Sequence, residues 1–288
     1  MKLDAMLCRR CGVCVAECPA HLFYRQANDE VPQILNPDGC IHCGHCMITC
    51  PADAITEEAD SSISTPLPLP AKVADWECFY GLLQTRRSVR QYQKKPVPRE
   101  LLEKIIATAE LAPTATNQRK VCWTVVTRPE TIQELRRRTM RFLTSRATLL
   151  RSPIAKFLAR IFPHGVAGSN MRYLPFLEQL LERGEVEDWI LFDAPAVLVA
   201  HYDGRGGRFA DTDAQLAIQN ATLAAVALGL GTFYTGFVTM VSEMDRGIGE
   251  VLGYPAGHRM AGGMTVGYPA VAYRGVLARA YPETRWIE

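Results

Sequence analysis

Apolar positions fall into two regimes along this chain. Before residue 60 they are sparse and interrupted; from about residue 75 onward they recur at helix or strand spacing. Trp76, Phe79, Leu82 and Leu83 stripe one side of a helix predicted over 75–86. Leu101, Leu102, Ile105 and Ile106 stripe a second over 99–111, opened by Pro98. Residues 121–127 (VCWTVVT), 195–202 (PAVLVAHY) and 260–267 (MAGGMTVG) read as strands, the middle one buried. A basic helix is predicted over 130–143, and a helical stretch over 144–186 interrupted by Pro153, Pro163, Gly165 and Gly168. A long helix follows over 213–228, then another over 242–252. The first of these two carries Ala214, Ala217, Ala221, Ala224, Ala225 and Ala227, which permit close helix–helix approach in a core or a subunit interface. Few strands separated by helical stretches make this part α+β.

Domain organisation follows from the same pattern. Residues 1–60 form one unit and 73–288 another. The intervening 61–72 holds Pro66, Pro68 and Pro70 in alternation, a semi-rigid extended spacer of about 3.1 Å per residue.

Eight of the ten cysteines in the chain occupy two copies of one pattern, C-x2-C-x2-C-x3-C-P. Cys8, Cys11, Cys14 and Cys18-Pro19 make the first, and Cys40, Cys43, Cys46 and Cys50-Pro51 the second, 32 residues on. Three thiolates at this spacing wrap three corners of a cubane, and the fourth of each run ligates the other cluster. One [4Fe–4S] cluster is therefore assigned Cys8, Cys11, Cys14 and Cys50, and the other Cys40, Cys43, Cys46 and Cys18. Gly12 and Gly44 follow the second cysteine of each run, where a side chain would crowd the cluster. A disulfide framework suits short secreted chains, and Leu3, Ala5, Met6 and Leu7 are too few for an export signal. Zinc takes paired C-x2-C units rather than this run. The stretch resembles a bacterial two-cluster ferredoxin. Cys78 and Cys122 lie outside the pattern and are expected to be buried small hydrophobes.

With 48% hydrophobic and 22% charged residues over 288 positions, the composition is that of an ordinary globular protein of one to two domains. No run of about 18 apolar residues occurs, which argues against a membrane span, and thiol-rich metal ligation points to the cytoplasm. The net charge of +2 conceals an asymmetry. Residues 1–60 carry four basic and nine acidic side chains, and 128–160 nine basic and two acidic. The basic stretch suits docking of an acidic electron carrier or of the chain's own cysteine-rich arm, and equally a solvated helix face. No nucleic-acid motif accompanies it. His42 and His45 stand between cluster cysteines, where they tune a cluster potential or simply fill the loop. His201 reads as a satisfied strand-end histidine, and His258 suggests nothing particular.

Three further segments carry candidate chemistry. Arg86-Arg87-Ser88-Val89-Arg90 offers three guanidiniums and a hydroxyl for a phosphate monoester. Ala112-Pro113-Thr114-Ala115-Thr116-Asn117 is a polar turn before a strand, suited to a flavin edge. In Gly229-Leu230-Gly231-Thr232-Phe233-Tyr234-Thr235-Gly236-Phe237 the glycines admit a planar ligand, with Phe233 and Tyr234 as ring contacts or as core. A fourth segment, Val266-Gly267-Tyr268-Pro269, precedes Arg274 and Arg279.

In this order the four segments resemble the nitroreductase-like FMN oxidoreductases, over roughly 76–286, and the whole arrangement is similar to the ferredoxin-fused members of that family. The resemblance implies an α+β domain with a central, mainly antiparallel sheet flanked by helices, behind a two-cluster ferredoxin-like domain. It places FMN phosphate and ribityl contacts at Arg86, Arg87, Ser88, Arg90, Arg274 and Arg279. It sets Pro113, Thr114, Ala115 and Asn117 by the flavin from the partner subunit of a homodimer. Phe233, Tyr234, Thr235 and Gly236 are placed along the isoalloxazine. No catalytic side chain is expected, since the FMN is the reactive centre.

The implied function is FMN-dependent reduction of a small electron-poor organic acceptor of the nitroaromatic type. Electrons are relayed through two [4Fe–4S] clusters from reduced ferredoxin, flavodoxin or NAD(P)H. Reductive dehalogenation or ene reduction on the same scaffold, and an electron-relay subunit of a larger redox complex, are the alternatives. The insertion 139–189, with Phe142, Leu149, Leu150, Phe157, Leu158, Phe162, Tyr173 and Phe176, is expected to cover an apolar acceptor or to pack in a core or interface.

Overall fold

Two glycines in the left-handed backbone region start the helices of the cysteine-rich unit. Gly12 (φ 75°) precedes α1 (Val13–Glu17), and Gly44 (φ 73°) precedes α2 (His45–Ile48). The computed structural model describes residues 1–57, 67–71, 73–161, 171, 174–183 and 187–288. Two units divide the chain: Met1–Ala74 with Thr114–Arg119, and Asp75–Pro113 with Lys120–Glu288. Most of the proline-rich spacer, residues 61–66 and 72, lies outside the described residues.

The sequence repeat of the first unit is also a backbone repeat. Strand β1 (Lys2–Leu3) pairs antiparallel with β4 (Ile55–Thr56), and β2 (Phe23–Tyr24) with β3 (Gln33–Ile34). Positive φ recurs at the repeat offset, at Arg10 and His42 and at His21 and Asp53. Leu22, Phe23, Met47 and Ile55 form a small core with the cysteines. So small a core needs a further staple, which metal ligation supplies in domains of this size.

The second unit is a four-stranded antiparallel sheet in the order β5–β6–β8–β7, comprising β5 (Cys122–Val126), β6 (Ala196–Asp203), β8 (His258–Gly267) and β7 (Gly231–Tyr234). Helices cover both faces. Leu102 and Ile105 of α4 (Arg99–Ala109) and the alanines of α8 (Ala210–Ala227) pack on Ala196, Leu198, Met264 and Val266. Leu135 and Leu143 of α5 (Pro129–Leu150), with Val238 and Val241 of α9 (Gly236–Ser242) and Ile248 of α10 (Gly247–Leu252), pack on Val197 and Val199. Every residue from Ala196 to Ala200 has 0% exposure, because alternate side chains enter opposite cores. The fold is α+β.

Several expectations change. The basic helix runs on to Leu150 because Thr139, Leu143 and Ala147 continue its buried stripe. Residues 139–147 therefore belong to the core rather than to an insertion. Beyond them stand α6 (Pro153–Ile161) and α7 (Leu174–Arg183). Leu149, Phe157 and Leu158 are exposed, whereas Phe142 and Leu150 pack at the core edge. Phe162, Tyr173 and the Phe176 side chain lie outside the described residues. The helix expected over 242–252 starts later and is preceded by α9; Asp245 accepts a hydrogen bond from the Gly247 N–H and starts α10. The glycine segment 229–237 contains a strand. The apolar side of α3 (Trp76–Thr85) faces outward, with Trp76, Phe79 and Leu83 exposed. Among the described residues, no helix is long and apolar enough to cross a membrane.

One buried carboxylate fixes the entry to β6. Asp188 accepts from the backbone N–H groups of Ile190 (3.0 Å), Leu191 (2.9 Å) and Asp193 (3.1 Å), and lies 3.5 Å from Arg136 Nε. Asp188→Ala strands the buried donors of Ile190 and Leu191 and should cost about 2–3 kcal/mol. A urea midpoint unchanged from wild type would contradict this role.

Candidate functional site

In the first unit the thiols gather into two sets. Cys8, Cys11, Cys14 and Cys50 line one cavity, and Cys18, Cys40, Cys43 and Cys46 line another. Each cavity takes three cysteines of one run and the fourth of the other. All ten cysteines are free of disulfides. Four of the sulfurs accept backbone N–H groups, and the four bonds obey the repeat. Arg10 donates to Cys8 Sγ and His42 to Cys40 Sγ, both at 3.4 Å; Leu22 donates to Cys18 Sγ at 3.4 Å and Ala54 to Cys50 Sγ at 3.3 Å. The left-handed backbone at Arg10 and His42 turns those amides toward the sulfur two residues back. Amide donors aimed at sulfur offset thiolate charge and raise the reduction potential of iron bound there. Without iron the pockets favour thiols: burial, helped by neighbouring cysteines, pushes Cys46 up to about 11 and raises Cys14 and Cys40. Two tetrathiol cavities with backbone donors fit four-iron clusters.

His42 Nδ1 lies 2.6 Å from Glu57 Oε1, so its ring is held by a carboxylate. The helix-start glycines have a backbone reason as well, since an L side chain is disfavoured at their φ. The turn Thr114–Arg119 belongs to this unit. The Asn117 side-chain amide donates to the carbonyls of Ile41 (3.2 Å) and His42 (2.8 Å), within the second cysteine loop. Thr116, Asn117 and Arg119 all hold positive φ, a strained run whose Arg119 N–H is satisfied by Thr114 Oγ1 at 3.1 Å.

In the second unit the arginine run sits at the end of α3 and is stitched to the sheet. Ser88 forms a parallel bridge with Thr232, and the Val89 N–H donates to the Thr232 carbonyl at 2.8 Å. The approach requires glycine opposite: a Cβ on Gly231 would meet Val89 Cγ2 at 2.5 Å. The Arg90 guanidinium stands 4.9 Å from the centre of the Phe233 ring, and Phe233 meets Phe192 edge-on at 4.8 Å. Arg87 donates to the carbonyls of Gln84, Arg86 and Gly275, which ties the C-terminal segment beside the run and brings Arg274 along. Arg279 is exposed further along the same segment. Pro113 ends the turn after α4 in this unit.

Phe233 and Tyr234, adjacent on a strand, point to opposite faces. Phe233 meets Arg90, whereas the Tyr234 hydroxyl reaches Gln215 and the Ala261 carbonyl. Thr235 is buried, its N–H bonded to the Gly263 carbonyl and its hydroxyl without a protein partner among the described residues. Gly236 opens α9.

Phe192 escaped sequence reasoning. It holds φ 58° just before β6, and the turn-forming Asp193-Ala194-Pro195 after it was the available signal. Tyr92 was missed as well. Its hydroxyl lies 2.6 Å from Thr265 Oγ1, and burial raises its pKa. Cys78 and Cys122 are exposed rather than buried; Cys122 sits on the edge strand of the sheet.

Guanidiniums and a hydroxyl on a sheet-anchored turn, beside an aromatic pair, suit a phosphate-bearing aromatic ligand. Residues 83–268 match the Nitroreductase family, and residues 1–51 match a 4Fe-4S dicluster domain. The chain belongs to the nitroreductase family and carries an N-terminal ferredoxin-type domain; it is an oxidoreductase. A protein of Methanothermobacter thermautotrophicus named "Putative NADH dehydrogenase/NAD(P)H nitroreductase" is 25% identical over 211 residues, covering 72% of this chain and 85% of that one. Among solved structures, a nitroreductase with bound FMN from Desulfitobacterium hafniense is similar at TM-score 0.53 and 19% identity, covering 71% of this chain and 97% of that one. Iodotyrosine deiodinase bound to FMN and 3-iodo-L-tyrosine is similar at TM-score 0.50 and 20% identity, covering 73% of this chain and 98% of that one.

Gly231→Ala forces Val89 away from the sheet and should cost about 1–3 kcal/mol, as overpacking does. Urea denaturation with an unchanged midpoint would show that the Ser88–Thr232 contact does not depend on the glycine.

Proposed function

We propose that this chain is an FMN-dependent reductase of small electron-poor organic acceptors, nitroaromatic compounds first among them, fed through two [4Fe–4S] clusters. The observation that carries the reading is the Arg86–Arg90 run held to β7 beside the Phe233–Phe192 pair. Arg86, Ser88 and Arg90, with Arg274 and Arg279, bind the phosphate and ribityl chain. Arg87 holds the C-terminal segment through its contact with the Gly275 carbonyl, its guanidinium steadied by the carbonyls of Gln84 and Arg86. Phe233 lies toward the ring with Arg90, while Thr235 and Gly236 supply its edge and Tyr234 supports the strand from the opposite face. Bound there, FMN supplies hydride or single-electron transfer to the acceptor. The chain's residues orient the ring, favour negative charge on it through the guanidiniums, and leave protons to be delivered by water.

Each cluster takes the cysteines of one cavity, Cys8, Cys11, Cys14 and Cys50, or Cys18, Cys40, Cys43 and Cys46. Reduced ferredoxin or flavodoxin is a fitting donor for these clusters. NAD(P)H is a second candidate donor, as the name of the Methanothermobacter relative suggests. A reducing cytoplasm suits the free thiols.

A second copy of the chain completes the site. The exposed apolar side of α3 (Trp76, Phe79, Tyr80, Leu83) and the exposed Leu277, Tyr281, Trp286 and Ile287 of the C-terminal segment support this. Pro113, Thr114, Ala115 and Asn117 then meet the flavin of the partner, Asn117 through its amide oxygen. The deiodinase likeness is a reason to include aryl halides in the acceptor panel.

Anaerobically purified protein should contain about eight irons and about one FMN per chain and sediment as a dimer. Arg86→Ala and Arg90→Ala each remove a charge-assisted contact and should weaken FMN binding about ten- to a hundredfold, at unchanged iron content. Flavin-free protein that cannot be reconstituted with FMN, or Arg variants with wild-type affinity, would overturn the assignment.

A further inference from the structure

Three side chains at the far end of the sheet form a cluster that the flavin reading does not use. Cys122, His201 and His258 come from three neighbouring strands, β5, β6 and β8. Cys122 lies directly opposite His201, while His201 is opposite Met260 and His258 opposite Asp203. In an antiparallel sheet, residues opposite one another or two positions apart share a face. All three therefore point the same way. A β-bulge between Ala200 and His201 breaks the ladder at this position, a device that commonly re-aims a side chain. This end is remote from the Arg86–Arg90 run: the bridge to Ser88 joins β7 at Thr232, which pairs with Val266, six positions along β8 from Met260.

The ligand atoms converge. Cys122 Sγ and one ring nitrogen from each histidine lie within 4.8 Å of one another. The closest pair, His201 Nδ1 and His258 Nδ1, is 2.9 Å apart. Tetrahedral bonds of about 2.0–2.1 Å to nitrogen and 2.3 Å to sulfur require edges of about 3.3 Å between nitrogens and 3.6 Å between nitrogen and sulfur. Small rotations of the exposed Cys122 and the half-buried His258 side chains about the buried His201 reach these values.

The surroundings orient the ligands. His201 Nε2 lies 3.2 Å from Thr124 Oγ1, so a proton held there leaves the Nδ1 lone pair facing the cluster. Ligating histidines are characteristically fixed through their second nitrogen in this way. The Tyr254 ring packs 4.9 Å from that of His201.

We propose that Cys122, His201 and His258 bind a divalent transition-metal ion, with Zn2+ as the natural probe, in a site of one thiolate and two imidazoles whose fourth position is open to water. That ligand set suits zinc, and an ion there would pin three strand ends together. The site stands apart from the flavin assignment and survives its failure.

The test uses the full chain with both clusters and flavin in place. After dialysis against a weak chelator, Zn2+ is titrated in, with bound zinc measured by mass spectrometry and its ligands by zinc K-edge X-ray absorption. The iron content and the visible spectrum are checked at each step. One zinc per chain is expected, with one sulfur at about 2.3 Å and two nitrogens at about 2.0–2.1 Å. Cys122→Ser and His258→Asn, both at accessible positions, should lower zinc affinity at least tenfold at unchanged iron content and circular dichroism. Thr124→Val should lower it about tenfold as a positioning change. An all-sulfur zinc environment would mean capture by cluster cysteines and overturn the proposal. Failure of the wild type to retain zinc, or variants that bind as well as wild type, would also overturn it.

Discussion

Burial of β6 on both faces is the constraint on which the second unit depends. With Ala196 through Ala200 closed to solvent, alternate side chains must enter two separate helical layers, and the register cannot slip by one residue without exchanging them. That register places the neighbouring strands. β8 pairs along the length of β6 and carries β7 on its other edge, and β7 receives the backbone of Ser88 and Val89. The arginine run thus owes its position to β6 through two intervening strands. The segment entering β6 is held by Asp188, and it delivers Phe192 to Phe233. Anchoring the arginine turn and the Phe233–Phe192 pair to one rigid sheet holds both in place, as the FMN site proposed above would require.

The cysteine-rich unit works by a different constraint. Its core is small, and its order comes from a duplicated backbone in which corresponding residues take the same left-handed conformation and donate to corresponding sulfurs. Thiols that burial keeps protonated, as at Cys46, become thiolates when they bind iron, so iron binding there releases protons. The predominantly acidic 1–60 segment and the basic 128–160 stretch give the chain an uneven field suited to a charged electron carrier.

Local features were legible in the sequence. The cysteine pattern could be read because one short loop carries three ligands of a set, and strands β5, β6 and β8 could be read because each gathers apolar and β-branched residues over five to ten positions. β7 was hidden because Gly229 and Gly231 dilute its apolar signal, although Gly231 is there for its close contact with Val89. The Cys122–His201–His258 cluster leaves no local trace, because strand pairing alone assembles it, and the contacts of Tyr92 with Thr265 and of Phe192 with Phe233 are made only in the tertiary fold. Sequence periodicity marked an apolar side on α3 without saying what covers it, and among the described residues nothing buries Trp76 or Phe79. The basic helix exceeded its predicted end because Ala147, the buried residue beyond that end, is too small to register as a stripe.

Electrons entering at the cysteine-held iron and leaving through the flavin form the core of this account, and rapid mixing tests it most directly. Anaerobic protein with oxidised flavin is mixed with a reduced low-potential ferredoxin, and flavin bleaching is followed in wild type and in Cys14→Ser. The account predicts that wild-type bleaching follows cluster reduction at a rate independent of protein concentration and is strongly slowed in the variant. Equal bleaching rates in the two proteins would contradict it.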